Sequence, residues 1–311
     1  MDHKDLRIVF MGTPEFAVAS LEKLVSEGCN IVGVITAPDK PGGRGMKLQQ
    51  SAVKKYAFEK GLHIMQPEKL KDPVFLENLR SLKADLQAVV AFRMLPEAVW
   101  NMPPMGTVNV HGSLLPQYRG AAPINWAVIN GEEYTGVTTF KLQHEIDTGN
   151  ILLTDKLKIE PTDDAGTVHD KLKDKGAELL LTTIKGLADG SIKEMPQVAS
   201  GEDLKHAPKL ITATGKIDWN LPAANIHSLI RGLSPYPGAY SFLNGKMIKI
   251  FKAEMSIEKT DVAPGEWKTD ERSFLQFACA DGYTRVKELQ PEGKKRMAVE
   301  DFLRGFRMHT P

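Results

Sequence analysis

Residues 108–124 read V-N-V-H-G-S-L-L-P-Q-Y-R-G-A-A-P-I. The run begins with β-branched apolar residues typical of a buried strand, and Gly112 and Ser113 then break it. Asn109 and His111 lie two positions apart, so on a strand their side chains share one face. In the structural interpretation, both side chains are buried and satisfied by hydrogen-bond partners within the protein. At the carboxyl end of a parallel strand they would instead face a ligand crevice and could donate to a carbonyl oxygen that gains charge.

The chain before this stretch has the pattern of a βαβ unit. An apolar run at 6–11 predicts a strand, residues 15–27 carry apolar side chains at helical spacing, and 30–36 predicts a second strand. Such a unit predicts a parallel sheet. The G-x-G-x-x-G fingerprint of dinucleotide-binding proteins is absent, so no NAD site is inferred.

A basic, glycine-rich connection follows the second predicted strand. Residues 37–50 read A-P-D-K-P-G-G-R-G-M-K-L-Q-Q, which is long for a connection within an α/β unit. We expect an exposed, mobile loop because this composition cannot form a packed core. Lys40, Arg44 and Lys47 suit contact with a phosphate backbone, and the alternative is a solvated loop whose charges have no partner.

An acidic residue lies 36 positions after His111, in the stretch H-E-I-D-T-G at 144–149. One helix and one strand fit between the two residues, so Asp147 could return to the same sheet edge and pair with the imidazole. The alternative, which the residues alone favour, is that Asp147, Thr148 and Gly149 form a simple turn.

The second half of the chain changes character. Residues 189–208 lose periodicity, and we place a linker there between a catalytic domain at 1–188 and a C-terminal domain at 209–311. The C-terminal part has short alternating runs separated by turns such as Asn244-Gly245, a pattern that predicts a small barrel. The expected fold is α/β: a Rossmann-like, mostly parallel sheet domain followed by a smaller OB-like β-barrel domain.

Composition sets further limits on function. The 311 residues carry a net charge of +1 and two cysteines, which argues against a disulfide framework and against a zinc site. Residues 209–311 contain 16 basic and 12 acidic residues, a local excess that permits an anionic ligand. No secretory leader or membrane-length apolar run is seen, so we expect a cytoplasmic protein with no membrane partner.

Several motifs resemble the formyltransferase superfamily that uses 10-formyltetrahydrofolate. The core match is the opening stretch together with I-D-T-G-N-I-L. Other stretches are similar to the methionyl-tRNA formyltransferases within it: F-M-G-T-P-E-F-A, P-D-K-P-G-G-R-G-M-K, I-R-G-L-S-P-Y-P-G-A and K-K-R-M-A-V-E-D-F-L-R-G. These matches occur in order over nearly the whole chain.

The resemblance implies roles for the matched positions. Asn109, His111 and Asp147 fall on the catalytic trio, and Arg44, with Lys40 and Lys47 beside it, falls on an insertion that grips the tRNA acceptor end. The folate-binding segment falls on Ser113, Leu114, Leu115 and Pro116. The implied co-substrate is 10-formyltetrahydrofolate, with no metal or nucleotide cofactor, and the implied partner is initiator methionyl-tRNA. A monomer is expected.

Two departures from the family pattern concern binding. Met46 stands where many relatives carry a basic residue, and Phe92-Arg93-Met94 replaces a small segment near the expected pterin pocket. The alternatives from the same core chemistry are a formyltransferase of an amino-sugar nucleotide and a formyltetrahydrofolate hydrolase. A non-catalytic RNA-binding protein is the alternative from another class, and the presence of Asn109, His111 and Asp147 together argues against it.

Overall fold

The structure is a computed structural model that describes residues 2–42, 47–198 and 203–305. It divides into two compact units. Unit 1 contains residues 1–120, 135–157 and 169–206, and unit 2 contains 121–134, 158–168 and 207–311. The division at a linker over 189–208 stays a prediction, since unit 2 also takes two short segments from the first half of the chain.

The helices and strands are numbered in chain order. The strands are β1 (Arg7–Gly12), β2 (Asn30–Ile35), β3 (Lys40–Gly42), β4 (Lys47–Gln49), β5 (Ile64–Met65), β6 (Leu86–Val90), β7 (Thr107–His111), β8 (Arg119–Gly120), β9 (Tyr134–Lys141), β10 (Ile151–Lys158), β11 (His206–Ala207), β12 (Ala239–Leu243), β13 (Lys246–Ile257), β14 (Trp267–Thr269), β15 (Leu275–Cys279), β16 (Gly282–Pro291) and β17 (Met297–Ala298). The helices are α1 (Glu15–Ser26), α2 (Ala52–Glu59), α3 (Pro73–Ser81), α4 (Glu97–Trp100), α5 (Pro123–Ile129), α6 (Ala165–Asp189), α7 (Ala223–Gly232) and α8 (Val299–Arg304).

Unit 1 is built on a mostly parallel sheet. Within the described ranges its strand order is β10-β9-β7-β6-β1-β2-β5. Strand β1 pairs in parallel with β2 and β6, β6 pairs in parallel with β7, and β9 runs antiparallel to β7. All five residues of β6 are buried, as expected for a parallel strand covered on both faces. The predicted Rossmann-like domain is confirmed.

The order of these strands creates a crevice at one edge of the sheet. The chain runs outward from β1 to β2 and β5, then returns to the other side of β1 as β6 and β7. Ligands in such sheets bind outside the carboxyl ends of the strands, close to this reversal. His111 ends β7, so it lies at this edge.

Unit 2 contains an antiparallel sheet of six strands that curls as half of a barrel. Its order is β12-β13-β16-β15-β14, with β17 paired to β16, in the part of the chain that is described. A single apolar core joins the sheet to α7, through side chains such as Ile226, Ile230 and Phe277. The predicted OB-like barrel domain is confirmed by this arrangement.

We expect Phe277→Ala to destabilise unit 2 by about 3–5 kcal/mol, because a large buried ring would leave a cavity. Phe277 is fully buried and stacks on Trp219 with ring centroids 4.5 Å apart and planes 7° apart. Thermal and denaturant unfolding of the variant, compared with the exposed control Phe58→Ala, measure the effect. A change below about 1 kcal/mol would contradict the packing described here.

Two local predictions are wrong. The connection at 37–50 is exposed at Lys40, Pro41 and Leu48, as expected, but it is not a loop throughout. Strands β3 and β4 pair from Lys40↔Gln49 to Gly42↔Lys47 as an antiparallel ribbon. The sequence also predicts a helix over 119–128, from the spacing of Ile124, Trp126, Ala127 and Val128. The helix begins only at Pro123, since residues 119–120 are extended and proline occupies the first helical turn. Among the described residues, none of the helices has the length and apolar character of a transmembrane span.

Candidate active site

Strand β7 presents Asn109 and His111 on one face of the sheet of unit 1. In the register with β9, Asn109 lies opposite Phe140 and His111 lies opposite Thr138. His111 is buried and its ring meets Phe140 edge-on, at 6.5 Å between centroids. Asn109 is partly buried, and its amide makes no hydrogen bond to any described residue. A polar group in that position is available for a ligand.

The two ring nitrogens of His111 have different environments. Nε2 lies 2.9 Å from the carbonyl oxygen of Tyr118. Because a carbonyl can only accept, Nε2 carries the proton of the neutral ring and donates it to Tyr118. Nδ1 faces Oδ2 of Asp147 at 3.8 Å, which is longer than a hydrogen bond. Nδ1 is therefore the nitrogen that can accept a proton, with a carboxylate beside it.

Asp147 lies in a turn and also reaches His111, so the two alternatives drawn from the sequence hold together. Its backbone has φ +54°, in the left-handed region that few residues other than glycine adopt. Oδ2 accepts a hydrogen bond from the N–H of Gly120 at 2.9 Å. This contact orients the carboxylate toward the ring on which it would act.

Gly149 ends the same turn, and only glycine fits there. A Cβ added at this position would lie 1.7 Å from the carbonyl oxygen of Lys141. The close approach of two backbone segments brings the chain back from β9 to β10, and thereby places Asp147 over the face that carries His111.

One residue of the site was missed by the sequence reasoning. Gln197 donates through Nε2 to the carbonyl oxygens of Asp147, at 2.9 Å, and Gly149, at 2.8 Å. Its Oε1 accepts from Arg119. The residue lies in the stretch interpreted as a linker, and no motif or periodicity in the sequence singles it out.

The expected folate-binding segment forms the loop directly after β7. Ser113 is buried and its hydroxyl donates to the carbonyl of Gln117, so that hydroxyl is engaged within the loop. Thr138 fixes the backbone: it donates to the carbonyl of Ser113 at 2.7 Å and accepts from the N–H of Leu115 at 3.2 Å. Leu115 packs with Phe140 and Ile151, and Leu114 and Pro116 are partly buried.

A cleft of about 630 Å³ lies where the strand order reverses. It is lined by residues that follow β1, β2, β5 and β6: Thr13, Pro14, Ala37, Pro38, Asp39, Lys40, Glu68, Ala91, Phe92 and Arg93. Lys54 and then Gln66 donate hydrogen bonds that lower the pKa of Asp39. Arg93 is held by the carbonyl oxygens of Pro67 and Glu68. Of the segment that departs from the family pattern, Phe92 and Arg93 line this cleft and Met94 is exposed.

Of the three side chains predicted to bind tRNA, the structure describes that of Lys40 alone. Lys40 is exposed at the start of β3. Arg44 and the side chain of Lys47 lie outside the described residues, as does Met46. As for metals, no group of three or more ligand side chains occurs within the described ranges.

Comparison with known protein families shows which family this chain belongs to. The formyl transferase model matches residues 6–184, and the model of the formyl transferase C-terminal domain matches residues 209–307. The chain belongs to the formyl transferase family. This family uses formyl-tetrahydrofolate as its one-carbon donor. The segments matched by the two family models together cover most of the chain.

Two members of the family are similar in sequence to this chain over nearly its full length. A methionyl-tRNA formyltransferase of Bacteroides fragilis is 52% identical over 99% of this chain and 97% of its own. One of Parabacteroides distasonis is 56% identical over 99% of this chain and 98% of its own.

A solved structure supports the fold of this formyl transferase. The N-formyltransferase from Helicobacter canadensis, in complex with folinic acid and dTDP-3-aminofucose, has a TM-score of 0.69 at 20% identity, covering 94% of this chain and 100% of that one.

Proposed function

We propose that this enzyme transfers the formyl group of 10-formyltetrahydrofolate to the α-amino group of methionine esterified to initiator tRNA. The observation that carries the proposal is the full-length identity of 52% and 56% to two methionyl-tRNA formyltransferases. The similarity to these two relatives extends through both units.

Asn109 acts on the oxygen of the formyl group. When the amine attacks the formyl carbon, the carbonyl oxygen gains negative charge in a tetrahedral intermediate. The amide of Asn109, which has no other partner among the described residues, donates a hydrogen bond to this oxygen. Such a donor acts most strongly in the transition state, where the charge is largest.

His111 and Asp147 move the proton. Nδ1 of His111 accepts a proton from the attacking nitrogen, and the nearby carboxylate of Asp147 stabilises the imidazolium that forms. The same nitrogen then returns the proton to N10 of the folate as the bond between N10 and the formyl carbon breaks. The new carbon–nitrogen bond, the broken bond and the proton balance, so the step needs no metal.

The loop that follows β7 holds the donor in this proposal. Ser113, Leu114, Leu115 and Pro116 bring backbone groups and apolar side chains next to the end of the strand that carries His111. Because Thr138 bonds two of their backbone groups, the loop is ordered before the donor binds. Phe92 and Arg93 contribute to the cleft at the neighbouring strand.

In this proposal the basic connection at 37–50 binds the acceptor end of the tRNA through Lys40, Arg44 and Lys47. We expect Arg44→Ala to raise KM for methionyl-tRNA severalfold and to reduce the salt dependence of binding by about one phosphate contact, with kcat at saturation little changed. Steady-state kinetics over a series of salt concentrations measures both effects. The control is Lys71→Ala, an exposed cation elsewhere in unit 1. An equal loss of kcat with a small amine as acceptor would contradict this role.

The experiment for the proposed reaction compares acceptors. Purified enzyme is given 10-formyltetrahydrofolate with methionyl initiator tRNA, with an amino-sugar nucleotide, or with no acceptor, and tetrahydrofolate is followed. Turnover with the charged tRNA alone supports the proposal. Turnover with the sugar nucleotide or without acceptor would replace it by a sugar formyltransferase or by a hydrolase. We also propose that the enzyme is a monomer in the cytoplasm. Light scattering measures its mass in solution and tests the monomeric state.

A further inference from the structure

We propose that Gln197 is a positioning residue for the reaction, because its side chain holds the turn of Asp147 in place against His111. The inference rests on the proposed catalytic role of Asp147. Neither the sequence motifs nor the proposed mechanism gives Gln197 a part.

The amide of Gln197 is fully engaged. Its Nε2 donates to the carbonyl oxygens of Asp147 and Gly149, at 2.9 and 2.8 Å. Its Oε1 accepts from Nε and Nη2 of Arg119, at 3.1 and 2.7 Å. A primary amide has two N–H donors and an oxygen with two lone pairs, so every hydrogen-bonding position is used. The side chain therefore has one orientation. A flip of the amide would place its N–H donors against the donors of Arg119 and its oxygen against the two carbonyl oxygens.

These contacts join the two segments on which the catalytic geometry depends. One segment is Tyr118-Arg119-Gly120, whose flanking residues touch the catalytic pair directly. The carbonyl of Tyr118 accepts from His111, and the N–H of Gly120 donates to Asp147. The other segment is the turn of Asp147 to Gly149. Through Arg119 on one side and two turn carbonyls on the other, Gln197 fixes the distance between these segments.

The position of Gln197 is itself fixed by the backbone. Two residues earlier, Met195 pairs with Ile151 at the start of β10 through hydrogen bonds of 2.7 and 2.8 Å in both directions. Ile151 lies four residues after Asp147, so this backbone pairing and the hydrogen bonds of Gln197 act on the same short stretch of chain. Gln197 is thus delivered to the turn by main-chain pairing, without dependence on an exposed side chain.

The turn needs such a support. Asp147 has φ +54°, a conformation that non-glycine residues keep only when their surroundings impose it. Its carboxylate lies 3.8 Å from Nδ1 of His111, with no direct hydrogen bond to hold the pair together. Small movements of the turn therefore change the electrostatic support of the imidazolium, while the binding surfaces for folate and tRNA stay as they are.

The experiment uses two variants of Gln197 in the full-length protein. Gln197→Met keeps the length of the side chain and removes all four hydrogen bonds. Gln197→Glu keeps the acceptor for Arg119 and removes both donors to the turn. We expect each to lower kcat about 10- to 100-fold, with KM for folate and for methionyl-tRNA within about twofold of the wild-type values.

The control is Glu194→Ala in the same segment. Glu194 accepts a hydrogen bond from Asn150 at 3.1 Å and makes none to Asp147 within the described ranges, so kcat should remain at the wild-type value. Loss of kcat in this control equal to that of Gln197→Met would reduce the effect to general loosening of the segment and overturn the proposal.

A double-mutant cycle separates this inference from the catalytic proposal. If Gln197 acts through Asp147, adding Gln197→Met or Gln197→Glu to Asp147→Asn lowers kcat no further. Additive losses would overturn the positioning role, as would wild-type kcat in both Gln197 variants. Wild-type kcat in Asp147→Asn would instead refute the catalytic role of Asp147, and with it the basis of this inference.

Discussion

Replacement of His111 by alanine is expected to lower kcat for formyl transfer by about 10³-fold, with little change in KM for either substrate. Nδ1 of His111 is the nitrogen left for chemistry, since Nε2 donates to the carbonyl of Tyr118. Without it, the proposed mechanism loses its base for the attacking nitrogen and its acid for the departing N10. The loss therefore appears in the chemical step and leaves ground-state binding intact.

His111 is also structural, so the experiment needs a second variant. The alanine variant removes the hydrogen bond from His111 to the carbonyl of Tyr118 in a buried site. His111→Gln can still donate to that carbonyl but cannot carry a proton between the two nitrogens, and we expect the same loss of kcat. Single-turnover rates and thermal unfolding are measured for both, with His63→Ala, an exposed histidine, as control. A glutamine variant with more than about a third of wild-type kcat would contradict the proton-transfer role.

Gly149→Ala is expected to lower kcat/KM by about 10²-fold or more, although no catalytic atom is removed. The added methyl group would lie 1.7 Å from the carbonyl oxygen and 2.9 Å from the carbonyl carbon of Lys141, both backbone atoms. The turn must move, and Asp147, two residues earlier, moves with it. We also expect a loss of stability of about 1–3 kcal/mol from the overpacking.

Kinetics and thermal unfolding of this variant are compared with Gly305→Ala, where the nearest heavy atom would be 3.9 Å away. The control should keep wild-type activity and stability. An active Gly149→Ala enzyme would mean that the position of the turn does not determine the rate, and would contradict the role assigned to Asp147.

Much of the fold could be predicted because local patterns and packing agree there. The βαβ opening has an apolar run, an amphipathic helix and a second apolar run, and the observed β1, α1 and β2 follow them within a residue or two. The antiparallel strands of unit 2 were marked by alternation and by turns such as Asn244-Gly245, which connects β12 and β13. In both cases the pattern of side chains alone specifies which face is buried.

The parts that could not be predicted depend on contacts between distant segments. The sequence left Asp147 between a turn and a partner of His111, because nothing local reports that the turn folds back over β7. The structure joins both interpretations through the hydrogen bond from Gly120. Gln197 was invisible for the same reason: its four hydrogen bonds all go to residues about 50 or more positions away. The β3–β4 ribbon was missed because its strands are short and rich in glycine and proline.

The most direct test follows the formyl carbon itself. The enzyme is incubated with 10-formyltetrahydrofolate labelled with ¹³C in the formyl group and with methionyl initiator tRNA, and the amino acid is then released from the tRNA and analysed by mass spectrometry. We predict labelled N-formylmethionine with the wild-type enzyme and a rate about 10³-fold lower with His111→Gln. Label recovered as free formate, or formylmethionine made at equal rates by both proteins, would contradict the account.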